Sequence, residues 1–151
     1  MTQKKVLIVE DHGDNAEAIA DFIRFVFPEW MVEQVARGQE AVDRVLRESA
    51  DVLVLDIALA DEVNGLDVIR RLWENGIRDK PRIIITTAMG NKAFRGPRHG
   101  RPWVDQLNEQ ERALVSGFFE KPYGWHAFLT AVANAAGVEP PEKIKLIPDT
   151  E

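Results

Sequence analysis

Apolar residues along the chain follow two alternating periods. Short runs at Val6–Val9, Met31–Ala36, Val52–Leu55, Ile83–Thr86 and, more weakly, Phe118–Phe119 read as strands. Between them apolar positions recur at helical spacing: Ile19, Ile23, Val26 and Phe27, then Ala41, Val42, Val45 and Leu46, then Ile69, Leu72 and Trp73. Leu107, Leu114 and Val115 mark a fourth helix. Trp125, Phe128, Leu129, Val132 and Ala133 trace the i, i+3, i+4, i+7, i+8 stripe of a fifth.

Regular strand–helix alternation predicts an α/β fold, a parallel sheet covered on both faces. The first, third and fourth runs are almost wholly β-branched or leucine, as strands buried on both faces must be. The second run carries Glu33 and Gln34, and the fifth has only two large apolar residues, which suits the sheet edges. A flavodoxin-like, doubly wound five-stranded sheet of order 2-1-3-4-5 meets these conditions. One domain is expected over 1–137, interrupted by a basic loop at 90–102 that is rich in turn formers. Pro140, Pro141 and Pro148 predict an extended or disordered tail over 138–151.

Composition narrows the classes. The chain has no cysteine, which removes disulfides, thiolate nucleophiles and cysteine-bound metals. The apolar runs are too short to span a bilayer, and the N-terminal residues lack the pattern of a secretory signal. A cytoplasmic location without membrane contact is therefore expected. A formal net charge of −6 argues against DNA as a partner.

In open α/β sheets, ligands bind beyond the carboxyl ends of the strands, where the strand order reverses. The first strand ends in Glu10-Asp11, the third in Asp56, the fourth in Thr86-Thr87 and the fifth in Lys121. Each alone has an ordinary explanation: an acid after a strand often caps the next helix, and Asp14-Asn15-Ala16-Glu17 has the spacing of a capping box. Together, three carboxylates at one patch repel one another unless a cation neutralises them. With only oxygen donors that cation is a hard one, such as Mg²⁺. A carboxylate beside a metal, a hydroxyl and an ammonium suits phosphoryl transfer, with the central Asp56 as nucleophile. Lys121 and a threonine hydroxyl then meet the phosphoryl oxygens.

The strings Val6-Leu-Ile-Val-Glu-Asp11, Asp51-Val-Leu-Val-Leu-Asp56, Asn64-Gly-Leu-Asp67, Ile84-Ile-Thr-Thr-Ala88 and Phe119-Glu-Lys-Pro122 resemble the receiver domains of bacterial two-component response regulators, across roughly residues 4–137. The resemblance implies that Glu10 and Asp11 bind Mg²⁺, that Asp56 accepts the phosphoryl group, and that the backbone carbonyl of Ala58 completes the metal shell. It implies Thr87 as the switch hydroxyl, Phe118 as the switch aromatic, and a Lys121–Pro122 bond often cis in this family. The donor would be a histidine kinase or a histidine phosphotransfer protein. Output would leave by protein–protein contact at the fourth helix, fifth strand and fifth helix, from a stand-alone domain that is no enzyme beyond its own dephosphorylation. The stretches from Asp56 to Gly65 and from Thr87 to Lys121 are longer than the family's usual spacing.

Three other readings compete. An Asp-nucleophile phosphatase of the haloacid dehalogenase kind needs a second acid two residues after the nucleophile, where this chain has Ala58. A nucleotide-binding domain needs a glycine-rich first turn, but Glu10-Asp-His-Gly-Asp14 has one glycine among acids. A receiver-like scaffold working without phosphorylation would be expected to lose a site residue, and all five positions are filled. Within the basic loop, Lys92, Arg95, Arg98, His99 and Arg101 read as a solvated stretch, or as a flap whose Arg95, Arg98 or Arg101 modulates the phosphate's lifetime. His12, directly after the acid pair, reads first as a solvated loop residue and second as one that touches the metal site, and Trp103 as partly buried core or a partner contact. Monomer and dimer both remain open.

Overall fold

The computed structural model describes residues 3–59, 62–87 and 103–149. Five strands, β1 (Lys5–Val9), β2 (Met31–Val35), β3 (Val52–Asp56), β4 (Arg82–Thr87) and β5 (Val115–Glu120), form one sheet in the order β2-β1-β3-β4-β5. All four pairings are parallel. This is the flavodoxin-like arrangement expected from the sequence. Every residue of β3 is buried, as is all of β1 after Lys5, because helices cover the central strands on both sides.

Helices α1 (Gly13–Val26), α2 (Gly38–Glu48), α3 (Gly65–Glu74), α4 (Glu109–Arg112) and α5 (Trp125–Ala135) lie in two layers. On one side Leu7, Leu53, Leu55, Ile83 and Ile85 pack with α2 and α3 through Val42, Val45, Ile69 and Leu72. On the other, Val6, Ile8, Val54 and Ile84 meet Ile19 and Ile23 of α1 and Phe128 and Val132 of α5. The alternation of the pleat, which sends neighbouring strand residues to opposite faces, thus sorts the chain into two cores.

Four expectations are corrected. The fifth strand is longer than Phe118–Phe119, and Val115, read as helical, opens it. The fourth helix shrinks to the single turn of α4, preceded by a 3₁₀ turn over Trp103–Gln106. Asn108 caps α4 through a reciprocal bond pair with Glu111, which holds this short element together. Asp14 caps nothing, because α1 begins one residue earlier, with His12 at the cap position. The 90–102 loop, with Lys92, Arg95, Arg98, His99 and Arg101, lies outside the described residues.

The largest correction is the tail. Rather than running free after 137, it turns back, forms a 3₁₀ turn at Glu142–Leu146 and buries Ile144 and Ile147 in the α1–α5 core. Its end also repairs α5. Gly124, at the cap position, has no side chain to offer, and Asp149 Oδ1 accepts the N–H of His126 at 2.8 Å instead. Ile144→Ala is expected to cost about 2 kcal/mol in urea unfolding, while Leu146→Ala, on the exposed side of the same turn, stays within about 0.5 kcal/mol. Equal effects would mean that the tail does not contribute to the folded core.

Candidate functional site

The carboxyl ends of β1, β3, β4 and β5 meet at one edge of the sheet. Cross-strand register fixes the meeting: Asp56 pairs with Thr86, and Thr87 pairs with Glu120, the residue before Lys121. The Lys121 N–H donates to the Thr87 carbonyl at 2.7 Å, so the backbone at the end of β4 aims the lysine. The Lys121–Pro122 bond is cis, as expected.

Lys121 Nζ bridges two buried acids, 2.6 Å from Glu10 Oε2 and 3.4 Å from Asp56 Oδ2. The exposed side-chain fractions are 1% for Glu10, 6% for Asp56 and 19% for the lysine, so little water screens the trio. Asp56 Oδ1 accepts the Ala58 N–H at 2.9 Å. Burial first, then the charge of Glu10, pushes the Asp56 carboxyl from 3.8 up to about 6, against the pull of Lys121 and the Ala58 amide. For Lys121, burial works downward, but the hydrogen bond to Glu10 and the charge of Asp56 outweigh it and the net shift is upward.

Asp11 stands beside Glu10 at the entrance to α1. Glu10 and Asp56 thus share one ammonium, with the Asp11 carboxylate next to Glu10, an excess of negative charge that fits a hard divalent cation. Gly65 backs the site from below. A Cβ there would lie 2.6 Å from the Asp56 carbonyl and from Ile57 Cα, so only glycine lets α3 approach this closely. The Gly65 N–H donates to the Ile57 carbonyl at 2.9 Å, and Asn64 with Asp67 forms a capping box that fixes the start of α3.

Both threonines are buried. Pleat parity sends Thr86 to the side of Ile84 and opposite Phe119, whereas Thr87 belongs to the side of Ile83 and Ile85. Phe118 packs on that same side, against the α2–α3 core. Glu10, Asp11, Asp56, Ala58, Thr87 and Lys121 thus share one end of the sheet, with Phe118 one layer below. Arg95, Arg98 and Arg101 fall outside the described residues.

One reading is sharpened by the structure, and one feature went unread in the sequence. His12 is not simply solvated: its Nδ1 lies 3.0 Å from Asp11 Oδ1 and 3.4 Å from Glu10 Oε1. A cleft of about 450 Å³ opens beside Lys121, between Asn15 and Ile19 of α1 and Tyr123 and Trp125 beyond β5. Burial, helped by the charges of Glu10 and Asp56, raises the Tyr123 phenol and keeps it neutral. The aromatic cluster Lys121-Pro-Tyr-Gly-Trp125 was the available signal.

Residues 6–96 match the family model of the response regulator receiver domain. Sporulation initiation phosphotransferase F of Bacillus subtilis is 26% identical over 125 residues, spanning 82% of this chain and 86% of that protein. The transcriptional regulatory protein TrcR of Mycobacterium tuberculosis is 36% identical over 75 residues, covering 48% of this chain. That match takes in 27% of TrcR, and a second curated relative is likewise matched over a minor part of its length. The crystal structure of the response regulator TrrA from Thermotoga maritima, in complex with Mg²⁺–BeF, gives a TM-score of 0.66 at 16% identity, over 88% of this chain and 99% of that one. At that identity the likeness is one of fold. No described helix is long and apolar enough to cross a membrane.

Proposed function

The chain belongs to the response regulator receiver domain family, and from that premise we propose that it is a phosphorylation-dependent signalling switch whose acceptor is Asp56. The observation that carries this reading is the Glu10–Lys121–Asp56 bridge, a buried carboxylate beside an ammonium at the reversal point of the sheet. At pH 7 to 8, above its raised pKa of about 6, Asp56 is mostly ionised and able to attack.

The donor is a phosphohistidine on a histidine kinase or histidine phosphotransfer protein. A carboxylate oxygen of Asp56 forms the new P–O bond as the P–N bond to the donor breaks, and the departing imidazole takes up a proton. Lys121 neutralises charge on the transferring group. Glu10, Asp11 and Asp56, with the backbone carbonyl of Ala58, would hold Mg²⁺, which when bound offsets the negative charge of the phosphoryl oxygens. The Ala58 amide already orients Asp56, so this residue serves the site through its backbone.

Thr87 and Phe118 form the relay. They share one side of the sheet, so a movement of the hydroxyl toward the phosphoryl group frees space that Phe118 fills. The two packings bias the face made by α4, β5 and α5 toward a protein partner in the cytoplasm. Arg95, Arg98 and Arg101 are proposed to tune the lifetime of the acyl phosphate, whose hydrolysis resets the switch.

Incubation with acetyl phosphate and Mg²⁺, followed by intact mass measurement, is expected to give one phosphoryl adduct. Asp56→Ala and EDTA should each abolish it. An adduct that persists in Asp56→Ala, or a wild-type chain that neither gains the adduct nor responds spectroscopically to beryllofluoride, would sink the reading.

A further inference from the structure

Glu10 uses its two carboxylate oxygens on opposite sides. Oε2 faces inward to the Lys121 ammonium at 2.6 Å, while Oε1 faces outward to His12. The His12 N–H donates to that same Oε1 at 3.2 Å, which curls the chain so that the imidazole lies over the acid pair. Nδ1 is then 3.0 Å from Asp11 Oδ1 and 3.4 Å from Glu10 Oε1, and donor atoms of the three residues fall within 4.8 Å of one another.

Adjacent donors in an octahedral shell with bonds of about 2.1 Å are about 3.0 Å apart. The separations around His12 Nδ1 are close to that spacing. The ring is 74% exposed, which leaves room for waters to complete a shell on the outer side. Among the described residues the other histidine, His126, is occupied elsewhere, with Nε2 donating to the Ile147 carbonyl at 2.6 Å.

We infer that His12 Nδ1 is a further protein ligand beside Glu10 and Asp11, and that it gives the site a preference for imidazole-accepting first-row divalent ions over Mg²⁺. Carboxylates alone suit hard cations, whereas an imidazole adds affinity for ions such as Co²⁺ and Ni²⁺ and little for Mg²⁺. His12 is thus a specificity-determining residue for the ion, resting on the placement of the metal at the acid pair proposed above.

Calorimetric titration of the full chain with Co²⁺ and, separately, with Mg²⁺ tests this without any phosphoryl transfer, and the visible absorption of bound Co²⁺ reports on its ligands. His12→Ala, an exposed change, is expected to weaken Co²⁺ binding roughly tenfold or more and Mg²⁺ binding less than about twofold, with an altered Co²⁺ band. Equal losses for the two ions would show that His12 only positions the acids and would overturn the inference, as would an unchanged Co²⁺ affinity. If neither ion binds the wild-type chain, the metal part of the proposed function falls with it. Normal metal binding without an Asp56 adduct would fault the phosphoryl reading alone.

Discussion

Asp56→Asn is expected to stabilise the metal-free protein by about 3 kcal/mol at pH 8 and to leave it nearly unchanged near pH 4. The Asp56 carboxyl has a pKa of about 6 in the fold against 3.8 for an unperturbed aspartate, roughly 2 units at 1.36 kcal/mol each. Between those two values the folded chain holds more protons than the unfolded one, so stability falls as the pH rises through the window and levels off above it. Asparagine keeps the shape and carries no charge, so the variant escapes that loss. Mg²⁺ is expected to reverse the ranking by raising the wild-type melting temperature far more than that of the variant. Urea unfolding at several pH values, with EDTA or Mg²⁺, checks both parts. A variant that is no more stable than wild type at pH 8 would mean that the buried acids are not in conflict.

The opposite change, Lys121→Met, is expected to destabilise the metal-free chain by about 3–5 kcal/mol at pH 7, because it strands Glu10 and Asp56 without their shared cation. Since the lysine's pKa is raised above 10.5, its contribution is present below 10.5 as long as its acid partners stay ionised, and it is lost as the pH rises through the folded value. Acid should relieve the loss by letting Asp56 take a proton. The double variant Asp56→Asn/Lys121→Met provides the sharper check, because the two residues are in contact and their effects should not add. It is expected to recover a substantial part of the lysine's loss. Simple additivity in the double-mutant cycle would refute the bridge as an energetic unit.

These opposed effects explain why the site was legible before the fold was known. Strands β1, β3 and β4 are buried on both faces, so their sequences are nearly uniform, and each ends where polar chemistry begins. Counting to those ends located Glu10 and Asp11, Asp56, the pair Thr86-Thr87 and Lys121 without any knowledge of contacts, while the resemblance singled out Thr87. The C-terminal third resisted the same method. Leu114 and Val115 read as helix because Ser116 and Gly117 interrupt the strand signal, and α4 itself, Glu-Gln-Glu-Arg, has no apolar residue from which a period could be read. The prolines of the tail spoke for an extended chain, while Ile144 and Ile147, three apart, were the weaker sign of a buried turn. His12 reads first as solvated for another reason. Its engagement depends on a main-chain curl after β1, which side-chain spacing does not record.

Strand β5 also carries a bulge: Ile83 pairs with Val115, but Ile84 pairs with Gly117. The extra residue changes the counting along this edge. Val115 and Phe118 pack on the same core although they are an odd number of positions apart. Lys121 reaches Glu10 and Asp56 only with that parity in place, so β5 works as a reading frame in which length is as informative as composition. An alignment that closes the extra position with a one-residue gap would exchange the roles of Phe118 and Phe119, and it would read a conserved-looking aromatic on the wrong side of the sheet.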